Sequence, residues 1–301
     1  ATVTGAGSKS LTVGANTITV TVTAGDKTEK TYTITITREK DTDNTLKSLS
    51  LTNCTMSPTF NGNTTSYTCT VENNVTETTV TAIATSSVAT VSGAGTKQLA
   101  VGTNTINITV TSQSGSIKTY QVVVTRKASS DATLKSLTVS NGTLTPEFDG
   151  SKTEYTVSVP YNVSTVTVAG AANSSEATVT GAGDKELVVG RNVIEVKVTA
   201  GDKTEKTYKI TITRAQDNDN SLKNLTVTNH TLTPAFASGT TVYATTIENS
   251  ETSVEVITET TSANAKVTVS GNSNLKVGTN TVTVTVTAQN GDAKTYTITV
   301  T

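Results

Sequence analysis

The chain has 301 residues, a formal net charge of −1 and a charged fraction of only 16 %. This charge balance excludes a basic nucleic-acid interface, and no apolar run approaches the roughly 20 residues that a membrane helix requires. Threonine supplies roughly a quarter of the residues, and β-branched side chains favour strands over helices. We therefore expect an all-β protein that neither binds nucleic acid nor inserts into a membrane.

The chain repeats itself every 88 residues. One tyrosine recurs at Tyr32, Tyr120, Tyr208 and Tyr296, and the glycine of a V-G-x-N turn recurs at Gly14, Gly102, Gly190 and Gly278. A unit of this length has the size of a small β-sandwich. The register predicts the C-terminal part of a repeat at residues 1–38 (repeat 1), and complete repeats at 41–126, 129–214 and 217–301 (repeats 2, 3 and 4).

Repeat 1 resembles repeat 3 more than it resembles its neighbour. Residues 22–32 return unchanged as residues 198–208, and residues 1–7 return as residues 177–183. This pattern suggests the duplication of a block of two repeats. Half a sandwich exposes its core and its strand edges, so we expect the sequence to be part of a longer protein.

Strand signals recur throughout every repeat. In residues 32–37, Tyr32, Ile34 and Ile36 alternate with threonine, the pattern of an antiparallel sheet with one buried face. Asn61-Gly62, Asp149-Gly150 and Asn290-Gly291 predict tight turns with positive φ. Counting these runs gives about seven strands per repeat and no helix. The predicted fold is a tandem array of antiparallel β-sandwiches.

Repeat 2 contains both cysteines of the chain, Cys54 and Cys69. A two-residue hairpin at residues 60–63 would place residue 60 opposite residue 63, and the same register would place Cys54 opposite Cys69. Directly opposed Cβ atoms lie about 4.5–5.5 Å apart, close to disulfide geometry. We therefore predict a disulfide that stabilises repeat 2 by at most ~3 kcal/mol. The alternative is a pair of inert thiols, because a β-bulge or Pro58 would break the register.

Repeat 3 shows the repeat pattern most clearly. It reads D-x-x-L-x-x-L-x-V from Asp131, N-G-T-L-T-P-E-F from Asn141 to Phe148, a strand that begins at Tyr155, V-G-x-N, and K-T-Y-x-I-x-I-T. This order of motifs resembles the cadherin-like β-sandwich domain of bacterial surface and secreted proteins. The resemblance covers nearly the whole chain. It implies a tandem array of Ig-like/cadherin-like antiparallel β-sandwiches outside the cell, and it implies no catalytic residue.

The sequence contains few residues suited to chemistry. A single histidine, His230, cannot build a histidine-based metal site or catalytic triad, and it is interpreted as a turn substitution. The recurring Asn16, Asn104, Asn192 and Asn280 suit turn-stabilising bonds better than a Lys–Asn cross-link. Tyr161, outside the repeat register, offers one ring for sugar stacking, and a structural role is the better interpretation. We expect no enzyme activity and no cofactor.

Acidic residues cluster in the linkers between repeats. Asp43, Asp131 and Asp219 open the complete repeats, and Asp41 and Asp217 precede two of them. Such oxygen ligands suit Ca²⁺, but the middle linker has Lys127 and lacks the second acid. We therefore interpret the aspartates as turn residues.

The sequence predicts a mechanical function. A rod of repeats would act as a stalk that presents another module away from the cell, with neighbouring repeats of the same longer chain as its partners. The alternative is an adhesin or a filament subunit that binds cell-surface glycan or protein through loops such as 160–162. The predicted location is extracellular, at a bacterial cell surface.

Overall fold

The computed structural model describes residues 1–301 and contains twenty-three strands and no helix. No helix long and apolar enough to cross a membrane is found. The residues group into two compact units, Ala1–Ser129 (unit 1) and Ser130–Thr301 (unit 2). The all-β prediction is confirmed.

Unit 1 holds repeats 1 and 2. Repeat 1 forms one three-stranded sheet from β1 (Thr2–Thr4), β2 (Gly14–Thr23) and β3 (Glu29–Arg38). Repeat 2 has seven strands: β4 (Leu46–Leu51), β5 (Ser66–Val71), β6 (Glu77–Ala84), β7 (Thr90–Ser92), β8 (Gly95–Gln98), β9 (Gly102–Thr111) and β10 (Ile117–Arg126).

Unit 2 holds repeats 3 and 4. Repeat 3 again has seven strands: β11 (Leu134–Val139), β12 (Glu154–Val159), β13 (Thr165–Ala172), β14 (Thr178–Thr180), β15 (Gly183–Glu186), β16 (Gly190–Thr199) and β17 (Glu205–Arg214). Repeat 4 has six: β18 (Leu222–Val227), β19 (Val242–Thr245), β20 (Val256–Thr260), β21 (Lys266–Ser270), β22 (Asn280–Thr287) and β23 (Ala293–Val300).

Each complete repeat is a sandwich of two sheets. Repeat 2 has the strand orders β4-β6-β8 and β5-β10-β9-β7, and repeat 3 follows the same plan. Repeat 4 keeps its four-stranded sheet but reduces the other sheet to β18-β20. Most neighbours are antiparallel, as predicted, but β5 pairs with β10, β12 with β17 and β19 with β23 in parallel.

Three separate hydrophobic cores lie within residues 46–124, 132–212 and 222–300. The alternating Val, Ile and Leu of the strands fill them, and each fully buried side chain of this kind contributes about 1.5–3 kcal/mol. The repeat tyrosines are buried as well. The hydroxyl of Tyr120 donates to the carbonyl of Gly62 at 2.6 Å and accepts the amide of Leu46 at 3.0 Å.

The hairpin at residues 288–292 has the predicted tight turn with a positive φ. Ala288 donates its amide to Asp292 and accepts the amide of Gly291, and only Gly291 has a positive φ, of 95°. The loop therefore has three residues, with glycine in the left-handed position. Asn61-Gly62 and Asp149-Gly150 also lie in tight turns, in which Asn61 accepts the amide of Thr64 and Asp149 accepts that of Lys152. Neither pair has a positive φ, so the prediction of positive φ at these two turns is wrong.

Repeat 1 differs from the complete repeats in its exposure. Tyr32 and Ile34 are each 50 % exposed, whereas Tyr120, Tyr208 and Tyr296 are fully buried. The sheet β1-β2-β3 corresponds to β14-β16-β17 of repeat 3.

Candidate functional site

The structure assigns turn roles to the isolated polar residues. His230 is 13 % exposed, and its Nε2 lies 3.2 Å from Oε1 of Glu251 in the following loop. Asn104 accepts the amide of Ala100 at 2.9 Å and donates to the carbonyls of Ala100 and Gly102. Equivalent bonds recur at Asn16, Asn192 and Asn280. These asparagines therefore close the V-G-x-N turn, as their interpretation as turn residues predicted.

Cys54 and Cys69 are joined as a disulfide, with Cα atoms 5.9 Å apart. The predicted hairpin register is wrong. It would place Ser57 opposite Ser66, whereas Ser57 pairs with Thr68. Cys54 instead reaches Cys69 from a tight turn after β4, in which Asn53 has a φ of 58° and Cys54 bridges back to Leu51. The bond therefore ties the end of β4 to β5.

The linker aspartate of unit 1, Asp41, organises the start of repeat 2. Oδ1 of Asp41 accepts the amide of Asp43 at 2.8 Å, and its Oδ2 accepts the hydroxyl of Ser86 at 2.6 Å. The backbone of Asp41 donates to Oε1 of Gln113 and accepts the amide of Ser114. The hydroxyl of Ser86 holds the pKa of the Asp41 carboxyl below its ordinary value.

Unit 2 repeats this arrangement at the start of repeat 4. Oδ1 of Asp217 accepts the amide of Asp219 at 3.0 Å, and its Oδ2 accepts the hydroxyl of Ser262 at 2.5 Å. Its backbone donates to Oε1 of Gln289. Asp217 is only 7 % exposed, and the Ser262 hydroxyl lowers the pKa of its carboxyl.

The aspartates that open the repeats cap turns. Oδ1 of Asp131 accepts the amide and the hydroxyl of Thr133, at 2.9 and 2.5 Å. Asp43 and Asp219 make the same pair of bonds to Thr45 and Ser221. No group of three or more His, Cys, Asp or Glu residues is arranged to hold a metal ion. The aspartates act as turn residues, the interpretation that the sequence favoured.

Tyr161 lies in the loop between β12 and β13. Its carbonyl accepts Nε of Arg214 at 2.8 Å, and the Arg214 guanidinium lies over its ring, 4.9 Å from the centroid. Its hydroxyl accepts Nδ2 of Asn264 at 2.6 Å. The ring is therefore engaged by protein groups, which disfavours the sugar-stacking role considered from the sequence.

Sequence reasoning missed two sets of residues at the ends of repeats. Arg38, Arg126 and Arg214, at steps of 88, each donate Nη1 to the carbonyl of a leucine 27 residues earlier. The second set is the serine and glutamine that bind the linker aspartate, 45 and 72 residues after Asp41 and after Asp217. The equal spacings were the available signal.

The fold and the joints define an array of β-sandwiches connected by short bonded linkers. A family model described as the cadherin-like beta sandwich domain matches residues 2–39, 46–127, 134–215 and 222–301. The chain therefore belongs to the cadherin-like β-sandwich domain family. None of the curated proteins compared with the chain matches it.

Solved cadherin structures resemble the chain in outline. Protocadherin Gamma B7 extracellular cadherin domains 1-4 show 11 % identity and a TM-score of 0.29, over 95 % of this chain and 83 % of theirs. Mouse Cadherin-23 EC22-24 shows 13 % identity and a TM-score of 0.28, over 82 % of this chain and 98 % of its own. Drosophila N-cadherin EC1-3 shows 9 % identity and a TM-score of 0.32, over 77 % of this chain and 96 % of its own. At such low values these structures carry no functional information, and the assignment rests on the family match.

Proposed function

We propose that the chain is a non-enzymatic spacer on the outside of a bacterial cell, a stalk of repeats that presents another module. The observation that carries this proposal is the short linker within each unit. Asp41 and Asp217, the first residues of repeats 2 and 4, each bind a hydroxyl and a glutamine of their own repeat. Only residues 39–40 and 215–216 then lie between adjacent repeats, and so short a linker restricts bending, as a spacer requires.

The disulfide supports the extracellular part of the proposal. Disulfides persist in oxidising compartments and are rare in reducing cytosol. Cys54 and Cys69 are the only cysteines, and the structure leaves neither free. The partners proposed for the chain are neighbouring repeats of the same longer protein.

The second candidate function is adhesion or filament assembly through the loops, with cell-surface glycan or protein as partner. The loop at residues 160–162 was its strongest sequence feature. Arg214 covers one face of the Tyr161 ring, and Asn264 donates a hydrogen bond to its hydroxyl. The ring is therefore already engaged by groups of the same chain. We therefore favour the spacer.

Small-angle X-ray scattering tests the proposal directly. We expect a radius of gyration well above the roughly 19 Å of a compact chain of this length, and a compact value would overturn the spacer function. A mixed glycan array provides the second arm. Specific binding by the purified chain would favour the adhesin, and its absence together with an extended particle supports the spacer.

A further inference from the structure

Three segments of unit 2 meet where repeat 3 joins repeat 4. Repeat 3 contributes Tyr161, from the loop between β12 and β13. Repeat 4 contributes its first residue, Asp217, and Ser262 and Asn264 from the turn between β20 and β21. Nδ2 of Asn264 donates to the Tyr161 hydroxyl at 2.6 Å and to Oδ2 of Asp217 at 3.3 Å. The side-chain amide of Asn264 therefore connects the start of repeat 4 with a loop of repeat 3.

Repeat 3 fixes the position of the Tyr161 hydroxyl before repeat 4 contacts it. Arg214, the last residue of β17, donates Nε to the Tyr161 carbonyl and stacks its guanidinium on the ring. Its Nη1 is held in turn by the carbonyl of Leu187 at 2.9 Å. A cation–π contact and a charge-assisted hydrogen bond together restrict the rotation of the ring.

The carboxylate of Asp217 is fully engaged by donors of the protein. It accepts the amide of Asp219, the hydroxyl of Ser262 and the amide of Asn264. A calcium ion needs six to eight oxygen ligands, usually with several carboxylates, and it would compete with these donors for the same lone pairs. The joint is thus built from direct protein contacts.

Unit 1 provides a natural comparison. The positions of Asp217, Ser262 and Gln289 correspond to Asp41, Ser86 and Gln113, which make the same bonds. The position of Asn264, however, corresponds to Val88, and a valine has no group that donates a hydrogen bond. The amide contact is therefore an addition in unit 2 to a linker that both units share.

We propose that Tyr161 and Asn264 form a contact surface that fixes the angle between repeats 3 and 4 without calcium. The partner of the repeat 3 loop is the polar turn of the following repeat, recognised by its side-chain amide. This inference deepens the proposed spacer function. The test of this inference measures only the joint between repeats 3 and 4. Its failure is therefore distinguishable from failure of the spacer function, which a compact scattering profile or a positive glycan array would show.

Spin-label distance measurements on the full chain test the proposal. Nitroxides are attached at Ser158→Cys and Thr268→Cys, exposed positions in repeats 3 and 4, while Cys54 and Cys69 stay unreactive as a disulfide. We expect a narrow distance distribution that is unchanged by EDTA or by added CaCl₂. Tyr161→Phe, which removes only the hydroxyl, and Asn264→Val, which copies the residue of unit 1, should both broaden it.

Two controls separate the contact from general damage. Asn218→Ala removes an exposed amide from the same linker and should leave the distribution narrow. Because repeats 3 and 4 have separate cores, the thermal unfolding of Tyr161→Phe and Asn264→Val should match the parent. The proposal is overturned if both variants keep the parental distribution, or if EDTA broadens the distribution of the parent.

Discussion

Two facing positions in each complete repeat show how a contact between them constrains the residue types at both. The pair is Cys54 and Cys69 in repeat 2, Gly142 and Val157 in repeat 3, and His230 and Thr245 in repeat 4. A Cβ atom on Gly142 would lie 2.3 Å from Cγ1 of Val157, so valine on β12 requires glycine in the turn that follows β11. The backbone does not require it, because the residue with positive φ is Asn141, at 59°.

We therefore predict that Gly142→Ala destabilises repeat 3 through overpacking, by about 1–3 kcal/mol. Val157→Ala in the same chain should recover part of this loss, because it removes the clashing methyl group. Chemical denaturation of the two single variants and the double variant measures the coupling between them. If the effects of the two substitutions simply add, the clash is not the cause of the requirement for glycine.

The hairpins that close the repeats contain a second residue-level constraint. Their left-handed position is filled by Lys27 and Lys203, with φ of 69° and 77°, in repeats 1 and 3, and by Gly115 and Gly291 in repeats 2 and 4. A residue with a Cβ atom in the left-handed region costs about 1–3 kcal/mol of folding free energy. This exceeds the roughly 0.5–1 kcal/mol that glycine costs because its backbone loses more entropy on folding.

Lys203→Gly should accordingly stabilise repeat 3, by up to about 1 kcal/mol. Lys203→Ala is the matched control, because it removes the long side chain but keeps the Cβ atom, and it should bring no gain. The measurement is the free energy of unfolding from denaturant titration. Equal gains for both variants would assign the effect to the lysine charge and exclude backbone strain.

At the scale of the element, the sequence predicted strands well and their partners poorly. Alternation of Thr with Tyr or Ile identified β3, because successive side chains of a strand point to opposite faces of the sheet. The parallel pairing of β5 with β10 leaves no local trace, since it joins residues about 55 apart in the chain. Cys54 and Cys69 come together in the structure through a turn at Asn53 that the hairpin argument did not contain.

The joints were harder to predict than the strands. Asp41 and Asp217 were noted in the sequence because they are acidic residues in linkers. Ser86 and Gln113 are single polar residues in loops, and no local sequence pattern distinguishes them. Their bonds to Asp41 join residues 45 and 72 positions apart, and such contacts depend on the tertiary packing of repeat 2. The equal spacings in the two halves of the chain were the one available signal.

The linker of unit 2 should respond to acid. Since the Ser262 hydroxyl lowers the pKa of Asp217 in the folded protein, its contribution to stability is present above the unfolded value of about 4 and is lost as the pH falls through the folded value. We expect the melting temperature of unit 2 to exceed that of the Asp217→Asn variant at neutral pH. The difference should stay constant from about pH 5 to 8 and shrink below about pH 4. A difference that is independent of pH down to pH 2 would show that the Asp217 charge does not contribute.

At the scale of the whole molecule, the chain is a sum of repeats with separate cores. Each complete repeat buries its own tyrosines, and no core cluster includes residues of two repeats. Stability in such arrays is approximately the sum of terms for the repeats and for the interfaces between neighbours. Each of the three cores should therefore unfold as a separate event when the chain is pulled from its ends.

Pulling single molecules should distinguish repeat 2 from repeats 3 and 4. The disulfide joins residues 15 apart whose Cα atoms lie 5.9 Å from each other, so the enclosed segment cannot extend. At about 3.3–3.6 Å per residue, the unfolding of repeat 2 should release about 45 Å less chain than the unfolding of repeat 3 or 4. We expect two long steps and one short step in the oxidised protein, and three nearly equal steps after reduction. The double variant Cys54→Gly with Cys69→Val, which takes the residue pair of Gly142 and Val157, is the matched control and should give equal steps without reductant. Three equal steps in the oxidised parent, together with alkylation of two thiols in the denatured protein, would show that the disulfide is absent.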